Sequence, residues 1–174
     1  MAGRVEPRQD GAVEQHHLVV EIPRGSRNKY EVDHNTGEVW LDRKLFTSMQ
    51  YPADYGYLVQ TLGEDGDPLD ALVVVDDPTF PGCHIAVRAV GVIWMTDEAG
   101  PDAKILCVPA GDPRWSDVTD VGHLSSHLVA EIEHFFGTYK EIEPGKESET
   151  GGFDGADAAL RTIAEARERY AAQH

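Results

Sequence analysis

The chain has 174 residues, with 31 Asp and Glu against 15 Lys and Arg, for a formal net charge of -16. A field of that sign repels nucleic acid and anionic membranes and attracts divalent cations, so an anionic substrate must arrive with metal or meet a local basic cluster. The 41% hydrophobic content suits one domain with a sizeable core, and apolar runs such as LVVV and GVIWM are far too short to span a bilayer.

Residues 1–17 are polar, carry no apolar signal region and read as a flexible N-terminal extension of a cytoplasmic protein. Residues 18–174 read as a single domain. LVVEI, from Leu18, is the first predicted strand. In KYEVD, Tyr30 and Val32 share one face while Lys29, Glu31 and Asp33 share the other. HNTG is a turn signal and EVWLDR follows it, so residues 29–43 are expected to form a β-hairpin. ALVVV, HIAVRAVGVIWM and KILCVPA supply further strands, separated by DDPTFPG and TDEAGPD. Cys83 and Cys107 sit among apolar residues at no metal-ligand spacing and read as reduced, buried thiols.

The period then changes. Leu128, Ile132, Phe135, Phe136 and Tyr139 recur at helical spacing, with Ser125 or Ser126 as N-cap and Pro144–Gly145 as the stop. Gly151, Gly152 and Gly155 read as a linker, and a second helix is expected from about Asp157 to Ala172. Many short strands with helices gathered in the second half predict a mainly β fold, a small closed or partly closed barrel with the helices outside it.

EDGDPLDALVVV crowds Asp65, Asp67 and Asp70 into one turn at the mouth of an apolar strand. Two carboxylates about 5 Å apart repel by about 3 kcal/mol at an effective dielectric near 20. Oxygen-only ligands select hard cations such as magnesium, manganese or calcium. An EF-hand loop beginning at Asp65 fails, because Leu69 and Asp70 stand where a ligand and a glycine are required. A second acidic loop carries Asp97 and Asp102, with Lys104 close behind. Lys29, Arg43, Tyr51, Tyr55 and the Tyr139–Lys140 pair add groups that bind phosphate oxygens. His123 and His127 have helical i, i+4 spacing but no evident third ligand for zinc.

EIP, KYEVD, LDR, YPADYGY, DGDPLDALV, GVIWMTDEAGPDAK and HFFGTYKEIEPGK follow one another in order. Together they resemble family I soluble inorganic pyrophosphatase over residues 18–146. The resemblance implies a five-stranded barrel of the oligonucleotide-binding type flanked by helices, and magnesium-dependent hydrolysis of pyrophosphate to two phosphates. Several Mg2+ ions per site are implied, with Mn2+ or other divalent cations as substitutes, in a homo-oligomer that is a hexamer in bacteria. Carried onto this chain, it implies metal ligation by Asp65, Asp70, Asp97 and Asp102 with Glu21 in addition. Phosphate binding falls to Lys29, Arg43, Tyr55, Lys104, Tyr139 and Lys140, with Glu31 and Tyr51 in support. Asp67, with Asp102 as second candidate, takes the proton of the attacking water. The stretch ESETGGFDGADAAL and the long N-terminal extension depart from the family pattern. Two other activities fit parts of the pattern: hydrolysis of nucleoside triphosphates at a related two-metal site, and single-strand nucleic-acid binding by the barrel, against which the net charge argues.

Overall fold

The computed structural model describes residues 13–174, and Val and Ile are concentrated in its long central strand and the strands beside it. In chain order the elements are β1 (His16–Ile22), β2 (Asn28–Val32), β3 (Val39–Lys44), β4 (Asp54–Leu58), β5 (Asp70–Val73), β6 (His84–Asp97), β7 (Gly100–Pro101), β8 (Lys104–Pro109), α1 (Ser126–Thr138), β9 (Ser148–Gly155) and α2 (Ala156–Gln173). Two single 3-10 turns, Pro113–Trp115 and Val121–His123, lie between β8 and α1.

Five strands close on themselves. β1 pairs with β4, β4 with β5, β5 with β8, β8 with β6, and β6 returns to β1 through Leu18 opposite Ile85. All pairings in this ring are antiparallel except β5 with β8, where Ala71 lies opposite Ile105. The mainly β fold with two helices and a closed five-stranded ring agrees with the expected architecture. At 14 residues, β6 is long enough to serve the ring with its first part and to pair with β7 and β9 through its last.

Successive strand residues alternate between two cores. Leu72, Val90, Ile93 and Leu106 join Ile132, Phe135 and Phe136 of α1. Ala71, Val73, Val92, Ile105 and Cys107 join Ala159, Ile163 and Ala166 of α2. Both faces of these strands are therefore covered, which is why ALVVV and KILCV read as continuous apolar runs rather than as alternation. Each fully buried Leu, Ile or Phe stabilises the fold by about 1.5–3 kcal/mol.

Three local readings need correction. Gly151, Gly152 and Gly155, read as a linker, lie in β9, which pairs antiparallel with β6, Asp97 opposite Ser148 and Gly91 opposite Gly155. Its glycine content reflects close approach: a Cβ on Gly155 would stand 2.4 Å from Asp120 Oδ1, the same oxygen that accepts from Ala156 N at 2.7 Å where α2 begins. β4 carries DYGYL, a strand not anticipated. The flexible extension placed at residues 1–17 lies largely outside the described residues, and its last two, His16 and His17, belong to β1. Cys107 is buried and Cys83 only half-buried, both with free thiols. Among the described residues no helix is long and apolar enough to cross a membrane.

Candidate active site

The sheet topology decides where the acidic loops go. β5 and β8 run parallel and begin at one end of the ring, and β6, antiparallel to β8, finishes there. Asp70 opens β5, Asp97 ends β6, and Asp102 and Lys104 stand at the start of β8. Two segments far apart in sequence, the start of β5 and the stretch from Asp97 to Lys104, are thereby delivered to one rim. The DGDP turn is tightened by Asp65 Oδ1 accepting from Asp67 N at 3.0 Å and by Asp67 O accepting from Gly63 N. Glu21 projects from an irregularity in the β1–β4 register, the kind of bulge that re-aims a side chain. Its Oε1 accepts from Val32 N at 2.9 Å and so touches the β2–β3 hairpin.

That hairpin forms the opposite wall. Lys29 lies directly across from Arg43. Two cations so placed repel, and carboxylates separate them: Asp42 meets Lys29 at 3.2 Å and Arg43 at 2.6 Å, and Glu31 also pairs with Lys29.

Between the walls is a cleft of about 480 Å³. Glu21, Lys29, Glu31, Arg43, Tyr55, Asp65, Asp67, Asp70, Asp97, Asp102, Lys104, Tyr139 and Lys140 all line it. Of the residues expected at the site, only Tyr51 does not. It is buried beneath, its ring 4.7 Å from Phe135 and 5.6 Å from Tyr55, where it supports the aromatic floor rather than touching a ligand. Asp42, Tyr57 and Lys146 line the cleft without having been expected. Its place immediately before Arg43, on the strand expected to pair with that of Lys29, was the available signal for Asp42. His34 also reaches the rim, its ring edge-on to Tyr57 at 4.7 Å.

Lys104 is the centre of the arrangement. Its buried ammonium donates to Asp70 at 2.9 Å, Asp102 at 3.0 Å and Tyr55 Oη at 2.8 Å, and lies 5.1 and 5.4 Å from the Tyr55 and Phe136 rings. Burial works against its charge, but the Asp70 and Asp102 carboxylates outweigh it and hold the ammonium above its usual range. Lys140 stands 3.6 Å from Asp97.

The carboxylates are nevertheless in excess. Glu21, Glu31, Asp42, Asp65, Asp67, Asp70, Asp97 and Asp102 make eight, against the five bases Lys29, Arg43, Lys104, Lys140 and Lys146, so net negative charge is left to be neutralised. The strain shows on individual groups. Burial, with Asp70 nearby, pushes Glu21 up to about 7 despite the Val32 hydrogen bond. Partial burial and the Asp65 and Asp70 charges raise Asp67. Burial raises Asp102 in spite of Lys104, with Asp70 adding to it. An all-oxygen donor set under such repulsion fits hard divalent cations. Among the described residues no three acidic, His or Cys side chains already form a metal cage, since the Lys104 ammonium bridges Asp70 and Asp102.

No tryptophan lines this cleft. Trp94 donates to Asp154 at 2.6 Å, Trp115 packs against the core, and Trp40 is exposed on the hairpin. His123 bonds Thr119, and His127 pairs with Glu131.

Carboxylates able to hold cations, facing bases and phenols able to hold phosphate oxygens, define the class: a hydrolytic site for a small phosphorylated anion. Comparison with known proteins narrows it. The family model described as inorganic pyrophosphatase matches residues 18–171. The inorganic pyrophosphatase of Streptomyces coelicolor is 60% identical over 149 residues, covering 86% of this chain and 88% of that one. Among solved structures, the inorganic pyrophosphatase of Thermus thermophilus superposes with a TM-score of 0.89 at 44% identity, over 95% of this chain and 97% of that one. The enzyme from Helicobacter pylori gives a TM-score of 0.89 at 38% identity, over 97% and 99%. The chain belongs to the inorganic pyrophosphatase family and is a hydrolase acting on pyrophosphate.

Proposed function

We propose that this enzyme hydrolyses pyrophosphate to two phosphates with magnesium, by water attacking in line with the leaving phosphate. The observation that carries this reading is the excess of carboxylates over bases in a single cleft where the two sets face one another. Asp65, Asp70, Asp97 and Asp102, with Glu21, are the groups to hold the ions. Bound Mg2+, for which Mn2+ or another divalent cation can substitute, supplies charge neutralisation for pyrophosphate and acidifies water.

Lys29 and Arg43 reach in from the hairpin, and Lys104, Tyr55, Tyr139 and Lys140 from the floor and far wall. Together they hold phosphate oxygens and stabilise charge on the leaving group, a term that dominates phosphoryl transfer. Glu31 orients Lys29, and Tyr51 supports the Tyr55 and Tyr139 rings from below. Asp67 accepts the proton of the attacking water, for which its raised affinity for protons suits it; Asp102 is the second candidate. The turn holds Asp67 through its backbone N–H, and among the described residues no lysine pairs with its carboxylate as Lys104 does with Asp102, so it is the freer of the two to take a proton.

The family resemblance extends the reading to a cytoplasmic homohexamer, for which sedimentation of the purified protein is the check. A substrate panel tests the activity itself. Phosphate release from pyrophosphate should exceed release from nucleoside triphosphates by a wide margin. Asp67→Asn should abolish it while the circular dichroism spectrum stays that of the parent. Preference for nucleotides, or full activity in Asp67→Asn, would overturn the assignment.

A further inference from the structure

Glu143 lies in the turn after α1, in the stretch EIEPGK, and its side chain is only 3% exposed. A buried carboxylate outside a metal or catalytic role needs a partner that keeps it charged. The partner is Arg43, 100 residues away in sequence. Arg43 Nε donates to Glu143 Oε1 at 3.0 Å and Nη2 donates to Oε2 at 2.9 Å, a bidentate fork. Burial opposes the guanidinium's charge, but Glu143 and then Asp42 outweigh it and hold the proton more firmly still.

A guanidinium has five N–H donors in fixed planar geometry. Glu143 takes two of Arg43's and Asp42 takes one through Nη1 at 2.6 Å. Two are left, one on each Nη, for a ligand in the cleft. The backbone fixes the clamp in turn, since Glu143 N donates to Lys140 O at 2.9 Å and sets the carboxylate one tight turn beyond Lys140. The Arg43–Glu143 fork ties the β2–β3 hairpin to the turn that carries a second phosphate-binding base.

We propose that Glu143 is a positioning residue: it clamps the inner edge of Arg43 so that the outer nitrogens meet phosphate at a fixed distance from Lys140. The inference rests on the pyrophosphatase reading of the cleft, and the two can fail separately. If the parent enzyme releases no phosphate from pyrophosphate, the reading of the cleft fails; if it does and Glu143 proves indifferent, only the clamp fails.

Glu143→Gln keeps the side chain's shape but offers one acceptor where two donors wait. KM for magnesium pyrophosphate should rise about tenfold while kcat changes less than about threefold. Glu143→Asp, which keeps the charge, should recover part of that loss. In an Arg43→Lys background, where there is no fork to clamp, Glu143→Gln should change KM less than about twofold. An unchanged KM in Glu143→Gln, or the same tenfold effect in the Arg43→Lys background, would overturn the clamp. A second measurement needs no variant of Glu143. In the unmutated protein, saturating inorganic phosphate should shift the nitrogen resonances of the Arg43 Nη groups and leave its Nε–H resonance in place; a large Nε–H shift would mean that Glu143 lets go on binding, and the proposal would fall.

Discussion

The wall of the cleft built by β5, β6 and β8 and the wall built by the β2–β3 hairpin carry similar charges on different foundations. Asp70 and Lys104 are followed directly by Ala71, Leu72, Ile105 and Leu106, all fully buried in the ring. On the hairpin, Val39, Trp40 and Leu41 are 41%, 61% and 57% exposed. Apart from Tyr30, which packs on the core, the hairpin is held by polar ties: Arg43 to Glu143 and Val32 N to Glu21. The carboxylates and Lys104 are thus fixed by apolar packing, which salt does not screen. The phosphate-binding bases of the hairpin are fixed by charge and hydrogen bonds, whose exposed members salt weakens. Position along one wall follows from the core; position along the other follows from the pairing of the charges themselves.

Substitutions separate the two foundations. Asp70→Asn removes a charge from the packed wall without disturbing the strand behind it. Its kcat at saturating magnesium should fall about 10³-fold while the circular dichroism spectrum stays that of the parent, and a loss under tenfold would detach Asp70 from the chemistry. Lys104→Met should lower stability by about 3 kcal/mol in urea unfolding, because Asp70 and Asp102 lose the ammonium between them. Gly56→Ala tests the ring alone. Its Cβ would stand 1.8 Å from Val19 O, a backbone atom of the paired strand, so β1 and β4 must separate. A loss of about 3 kcal/mol is expected, and unchanged stability would contradict the closed ring.

A smaller effect comes from the far side of the ring, where α2 covers β1. His16 is buried, and its Nδ1 accepts from Arg167 Nη2 at 2.9 Å. Burial, and then the Arg167 charge, bring its pKa down to about 4, against 6.5 in the unfolded chain. The folded form therefore keeps His16 neutral while the unfolded form takes a proton below pH 6.5. Stability is whole above 6.5 and declines as pH falls toward 4, by about 2 kcal/mol on reaching pH 5. His16→Leu should remove that part of the slope in urea titrations at pH 7 and pH 5; an unaltered slope would place the acid sensitivity elsewhere. Least affected of all should be Leu41→Thr on the exposed hairpin face, within about 0.5 kcal/mol of the parent.

What the residues disclosed in advance follows the same division. β5, β6 and β8 were legible because buried strands leave unbroken apolar runs, and α1 because its apolar residues recur with helical period. β9 was not legible. Its glycines and charges resemble a loop in isolation, and only the free edge of β6 makes SETGGFDG a strand. β4 was obscured in the same way, since DYGYL owes its place to pairing on both sides. Within the site, Asp65, Asp67, Asp70, Asp97, Asp102 and Lys104 stood in short motifs that the sheet then gathers. Glu143 could not be given a role from sequence, because a carboxylate in a polar turn looks solvated until Arg43, a hundred positions away, is folded against it.

Everything proposed for the cleft requires its carboxylates to take up divalent cations. Calorimetric titration of the chelator-stripped protein with Mg2+, repeated on Asp70→Asn, measures this without any turnover. Saturable binding in the parent that weakens at least about tenfold in the variant is the expected result. Equal binding by both proteins, or none by either, would contradict it.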